Sequence, residues 1–173
     1  MTWTPNLRMA LVAFCVLVLD QLTKFAVMQF LGWREEVIVI DGFFRLVHWG
    51  NTGAAWSVFT NHNGLLAIVS ALALVVLYLS RRHFGADSIL GQVALGLLFG
   101  GIIGNLTDRL LPSRQHVIDF LYFYLHQRGG GEVGFPAFNV ADSAICIAVT
   151  LLFIRSLQGD QANGSVSSVG QTT

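Results

Sequence analysis

Four stretches of this chain are apolar enough to cross a bilayer, at about residues 7–30, 65–79, 89–103 and 139–154. Lipid offers a backbone no hydrogen-bond partners, so only helices or a closed barrel can span it. The run Met9–Leu19 has no polar residue at all, which fits a helix and not the alternating pattern of a barrel strand. Composition supports this solvent. Hydrophobic residues make up 54% of the 173 and charged ones only 12%, about half the usual share. So much apolar surface cannot be hidden inside one small globule.

The same figures narrow the functional classes. Net charge is zero, so there is no basic footprint for nucleic acid. Cys15 and Cys146 both lie in apolar runs and make neither a disulfide framework nor a metal cluster. The charged start and apolar core of the first segment resemble a cleavable signal peptide. However, Asp20 and Lys24 follow in place of a small-residue cleavage site, and bulky Phe14 precedes Cys15. We read a retained first helix.

Asp20 and Lys24 share a helical face, roughly 18 Å along the helix from Arg8 at 1.5 Å per residue. They form either a self-neutralised pair with Lys24 reaching outward or the support of a site. Residues 32–63 are mixed. Val37–Ile40, Asp41-Gly42 and Phe43–Trp49 read as strand, tight turn and strand. This hairpin belongs on the membrane surface. The following Asn51-Thr52-Gly53-Ala54-Ala55-Trp56-Ser57 is either a site for close approach or an interfacial loop anchored by Trp49 and Trp56.

Gly96, Gly100 and Gly104 fall on one face of the third helix. They permit close packing, and the alternative is that Gly100-Gly101 makes room for a substrate. Residues 117–125 are strand-like and able to join the hairpin, whereas Gln127–Gly134 reads as a flexible glycine-rich link. Pro136, Asn139 and Asp142 give the fourth helix its start signals. Residues 1–155 form one membrane domain, with loops at 32–63 and 107–138. The Ser-, Gly- and Gln-rich residues 156–173 are expected to be disordered.

Charge gathers between the third and fourth helices, where Asp108, Arg109, Asp119 and Asp142 require a reason so close to lipid. If the third and fourth helices are neighbours, folding brings Asp119 and Asp142 to one membrane face. Two close carboxylates share a proton, so one can take a proton from water while the other hydrogen-bonds a peptide carbonyl. The competing reading makes them helix caps or interfacial charges, with Asp108 and Arg109 either pairing together or bracing the aspartates. No His-Glu-x-x-His, Gly-x-Ser-x-Gly or phosphate loop is present.

Ordered motifs carry a resemblance. They are Asp20-Gln21-Leu22-Thr23-Lys24, Asn51-Thr52-Gly53-Ala54-Ala55, Gly104-Asn105-x-x-Asp108-Arg109, Val117-x-Asp119-Phe120 and Phe135-Pro136-Ala137-Phe138-Asn139-x-Ala141-Asp142. Together they span roughly residues 9–155. In these the chain resembles the bacterial lipoprotein signal peptidases (signal peptidase II), membrane aspartyl proteases. The resemblance implies four transmembrane helices with a small extracytoplasmic β-sheet cradle, both termini in the cytoplasm, and a site toward the outer face of the inner membrane. It implies cleavage of prolipoproteins just before a diacylglyceryl-modified cysteine, by a dyad of Asp119 and Asp142. Asn51, Gly53, Asn105, Asp108, Arg109, Asn139 and Ala141 would line or support the site, with Asp20 and Lys24 further out. No metal or organic cofactor is expected, and partners would be the lipidated precursor and membrane lipids, with the chain acting as a monomer.

Arginine counts alone leave orientation open, since Arg8, Arg81, Arg82 and Arg155 on one side face Arg34, Arg45, Arg109, Arg114 and Arg128 on the other. The tight Arg81-Arg82 pair favours its own side as cytoplasmic. Trp56, the 111–116 loop and the long 127–134 insert depart from the family pattern. A proton-coupled carrier is the reading from another class, but it predicts repeated broken helices, and the charges here gather at one face. A non-catalytic assembly protein is the third.

Overall fold

The structure is a computed structural model and describes residues 4–53 and 62–169. The stretch Ala54-Ala55-Trp56-Ser57 therefore lies outside the described residues. The chain order is α1 (Pro5–Phe30), β1 (Glu36–Ile40), β2 (Phe44–Asn51), α2 (Asn63–Ser80), α3 (Ile89–Leu110), β3 (Val117–His126), β4 (Glu132–Gly134) and α4 (Val140–Val169). All four helices are long and apolar enough to cross a membrane.

Local signals explain where these helices start and stop. Thr4 caps α1 through its side chain, with Pro5 in the first turn, where a missing N–H costs nothing. Ser88 caps α3 in the same way. Two boundaries differ from the sequence expectation. α3 continues past Ile103 to Leu110, because Asn105, Asp108 and Arg109 turn inward to partners and need not end the helix. α4 continues past the expected end at Ile154 to Val169. After Pro136 no proline interrupts this helix, and adding a residue to an existing helix is far easier than nucleating one.

α3 is the central helix, with α1 packed on one side and α4 on the other. Its glycines decide this. A Cβ on Gly100 would lie 2.6 Å from the Ala13 carbonyl oxygen of α1, and one on Gly101 would lie 2.6 Å from the Ala141 carbonyl oxygen of α4. These glycines are therefore filled by neighbouring helices and leave no room for substrate. Because backbone cannot yield as a side chain can, Gly100→Val is expected to lose about 1–3 kcal/mol or more. Gly64→Ala, where nothing lies within 4 Å, is the matched control. Equal melting temperatures for the two variants in detergent would contradict this packing.

The strands form one antiparallel sheet in the order β1-β2-β3-β4. The turn at Asp41-Gly42 uses Gly42 at φ 69°, as the hairpin signal requires. The end of the glycine-rich link forms a short strand. Gly129, Gly130 and Gly131 all take positive φ and turn the chain so that β4 pairs with the end of β3. β1 is exposed along its whole length. Arg45 ties this end of the sheet together by stacking 3.8 Å above the Tyr124 ring and pairing with Glu36 and Glu132.

The sheet lies at one end of the helical bundle. At the other end Arg8 donates to Gln92 at 2.7 Å, and Arg155 lies 3.7 Å from Asp87. The start of α1, the 81–88 connection and Arg155 thus share a face away from the cradle.

Candidate active site

Asn139 joins the two aspartates. It is fully buried and sits immediately before α4. Its Oδ1 accepts from the Asp142 N–H at 2.9 Å, while its own N–H donates to Asp142 Oδ2 at 3.3 Å. This is a reciprocal capping box. Its Nδ2 donates across to Asp119 Oδ1 at 2.8 Å. One side chain therefore fixes a carboxylate on β3 against a carboxylate in the first turn of α4.

Each aspartate has a second amide donor. Asn51, at the end of β2, donates to Asp119 Oδ2 at 3.0 Å. Asn105 of α3 donates to Asp142 Oδ1 at 2.7 Å. Asp119 is 4% exposed. Burial pushes its pKa up to about 7, with the charge of Asp142 as the next cause, against the opposing bonds from Asn51 and Asn139. Burial disfavours the charged form, and a like charge disfavours it further.

Behind this pair lies a second, fully buried group. Lys24 Nζ is 2.8 Å from Asp20 Oδ2, 2.7 Å from Asp108 Oδ2 and 3.0 Å from Asn105 Oδ1. Lys24 therefore turns inward and does not reach for the membrane surface. Asp20 Oδ1 accepts from the Ala141 N–H at 3.0 Å, so α1 satisfies one of the four N–H groups that a helix start leaves unpaired. Asp108 also pairs with Arg114 and accepts from the Ile118 N–H at 3.4 Å. It thus braces β3 one residue before Asp119. The charges in this group balance, with Lys24 and Arg114 against Asp20 and Asp108.

Arg109 stands apart from Asp108. Its Nη2 donates to the Gly53 carbonyl at 2.7 Å and its Nη1 to Asn63 Oδ1 at 3.0 Å. A cleft of about 220 Å³ opens beside it, with Asn51, Gly53, Asn105, Arg109 and Asp142 on its polar side. Leu66 and Val69 of α2, Ile102 of α3 and Ile145 of α4 form its apolar side. Among the described residues, no group of three His, Cys, Asp or Glu side chains could hold a metal ion.

The expected site residues Asn51, Gly53, Asn105, Asp108, Arg109, Asp119, Asn139, Ala141 and Asp142 converge here, with Asp20 and Lys24 as an inner brace. Three contributors escaped sequence reasoning. Gln21 donates to Asp20, to Asp108 and to the Gly104 carbonyl. Its signal was an amide inside an apolar helix. Arg114 was counted only toward orientation, and Asn63 was only the last residue of the mixed 32–63 region. Nothing in the sequence names the partners of these two.

Known proteins share this arrangement of chain. The family model for signal peptidase (SPase) II matches residues 12–158. A lipoprotein signal peptidase of Bacillus pumilus (strain SAFR-032) is 37% identical over 148 residues, 85% of this chain and 90% of its own. The lipoprotein signal peptidase of Bacillus subtilis (strain 168) is 34% identical over 148 residues, 85% of this chain and 91% of its own. A solved bacterial membrane enzyme, 31% identical, superposes with a TM-score of 0.73 and covers 90% of both chains. With a family match along nearly all of its membrane-spanning part, this chain belongs to the signal peptidase II family.

Proposed function

We propose that the chain is an aspartyl endopeptidase that removes the signal peptide from diacylglyceryl-modified prolipoproteins, cutting just before the lipidated cysteine. The observation that carries this is the carboxylate pair joined by Asn139, of which Asp142 lines a half-apolar cleft. Family membership supplies the proteolysis of signal peptides, and the relatives' names supply the lipoprotein.

The geometry supports a division of labour. Asp142 lines the cleft, where water reaches it, whereas burial favours the proton on Asp119. It takes a proton from water as the oxygen attacks the peptide carbonyl. Asp119 carries the shared proton and donates it in a hydrogen bond to that carbonyl oxygen. The tetrahedral intermediate then collapses, Asp142 returns a proton to the leaving nitrogen, and Asp119 recovers its own. The apolar side of the cleft suits acyl chains, and the polar side suits the extended peptide.

We place the dyad toward the outer face of a bacterial inner membrane, with both termini cytoplasmic. Arg81, Arg82 and Arg155 lie at the end away from the cradle, and short cytoplasmic loops concentrate such residues. The groups bonded to both aspartates come from one chain, which supports action as a monomer.

The purified protein in detergent is expected to release the signal peptide from a lipidated precursor, with a rate that falls as pH rises above about 7, the pKa of Asp119. Above that value the pair loses its shared proton. Stability follows the same sign. The fold raises the Asp119 pKa from 3.8 to about 7, so the folded state binds more protons between those values. Its contribution is present at acid pH and is lost as pH rises through that window. A rate still climbing at pH 9 would overturn the shared-proton assignment, and absence of cleavage at every pH would overturn the function.

A further inference from the structure

α2 is the least anchored helix of the bundle. Ala67 is its buried residue, and its extensive packing is against α3. Yet its first residue makes two side-chain bonds to one residue of α3. Asn63 Nδ2 donates to the Arg109 carbonyl at 3.0 Å, and Asn63 Oδ1 accepts from Arg109 Nη1 at 3.0 Å.

Those bonds continue to the dyad. Arg109 Nη2 donates to the Gly53 carbonyl at 2.7 Å, the Gly53 N–H donates to Asn51 Oδ1 at 2.9 Å, and Asn51 Nδ2 donates to Asp119 Oδ2 at 3.0 Å. The path runs unbroken from α2, through α3 and the end of β2, to the carboxylate on β3. Its central member is a cation whose charge acts on both Asp119 and Asp142. A free arginine side chain has about 2 kcal/mol of rotamer entropy, so its guanidinium keeps one place only where fixed acceptors hold it. Among the described residues these acceptors are the Gly53 carbonyl and Asn63.

We propose that Asn63 is a positioning residue for this reaction: it orients the Arg109 guanidinium against Gly53, and through Asn51 sets where the Asp119 carboxylate stands. This rests on the reading of the Asp119–Asp142 cleft as the active site. Asn63 acts through Arg109 and carries no chemistry of its own. It thereby makes α2, otherwise a loosely held wall of the cleft, part of the catalytic geometry.

The test is a double-mutant cycle on cleavage of a lipidated precursor in detergent. Asn63→Ala is expected to lower kcat by about tenfold, within the range that a misplaced supporting group costs, with KM changed less than about twofold. Asn63→Asp keeps an acceptor for Arg109 Nη1 but sets a second oxygen against the Arg109 carbonyl in place of the donor, so only part of kcat returns. In an Arg109→Lys background, which has already lost the forked geometry, Asn63→Ala is expected to add less than about a twofold further loss. The proposal is overturned if the two losses multiply in full. It is also overturned if Asn63→Asp is as slow as Asn63→Ala, or if kcat is unchanged while both variants melt earlier. The outcome is separable from that of the dyad. Activity surviving in Asp142→Asn would sink the dyad reading, while the Asn63–Arg109 cycle would still report whether those residues are coupled.

Discussion

Asp119→Asn and Asp142→Asn, each made singly, are expected to cut release of a lipidated signal peptide by at least about 10²–10⁴-fold, the range for loss of a positioned acid or base. Neither change should unfold the protein. An asparagine at position 142 still offers an oxygen to the amide of Asn105, and the capping bond from the Asp142 N–H to Asn139 belongs to the backbone. At position 119 the new amide faces donors from both Asn51 and Asn139, which costs something, but it is neutral like the protonated carboxyl it replaces. Melting temperatures within a few degrees of the parent, together with retained binding of the lipidated precursor, would separate chemistry from folding. Full turnover by either variant would remove that residue from the mechanism.

The second large effect concerns stability. Lys24→Met is expected to lose about 3–5 kcal/mol, the usual result of leaving buried charge without its partner. Asp20 and Asp108 are both fully buried against this ammonium. Of the two, Asp108 retains Arg114, so Asp20 is the orphan. Adding Asp20→Asn to Lys24→Met should therefore recover much of the loss, since asparagine still accepts from the Ala141 N–H. Asp108→Asn should lower both stability and activity, because Asp108 holds Lys24 and also the Ile118 N–H beside Asp119. Thermal unfolding of the three variants in one detergent would check the order. A Lys24→Met protein as stable as the parent would mean that the cluster is not structural.

The helices and the hairpin were legible because lipid and tight turns leave few choices. Met9–Leu19 admits only a helix, and Asp41-Gly42 specifies its own turn. The bounds were less so. Asn105, Asp108 and Arg109 look like residues of a helix end until their partners are known, and those partners are Lys24, Asp142, Arg114, Gly53 and Asn63. Physical reading of Asp119 and Asp142 left them divided between catalysis and capping. The structure explains why spacing could not decide. Asp142 is a true capping residue of α4 through Asn139 and also lines the cleft, so its role as a cap does not take it out of the proposed chemistry. The pairing of Asn63 with Arg109 joins residues 46 apart, and no local pattern encodes such a contact.

The Asp20–Lys24 pair also bears on how the chain is assembled. Synthesis runs from the N-terminus, so α1 is made before α3 and α4. At that stage Asp108, Asn105 and the Ala141 N–H are not there to receive its charged groups. The two side chains are one helical turn apart and bonded at 2.8 Å, so α1 enters as a neutral unit with its own counter-ion. When α3 arrives, Lys24 extends to Asp108, and when α4 arrives, Asp20 takes the Ala141 N–H. A contact that first makes a lone helix tolerable in the bilayer later becomes the seat on which the last two helices dock.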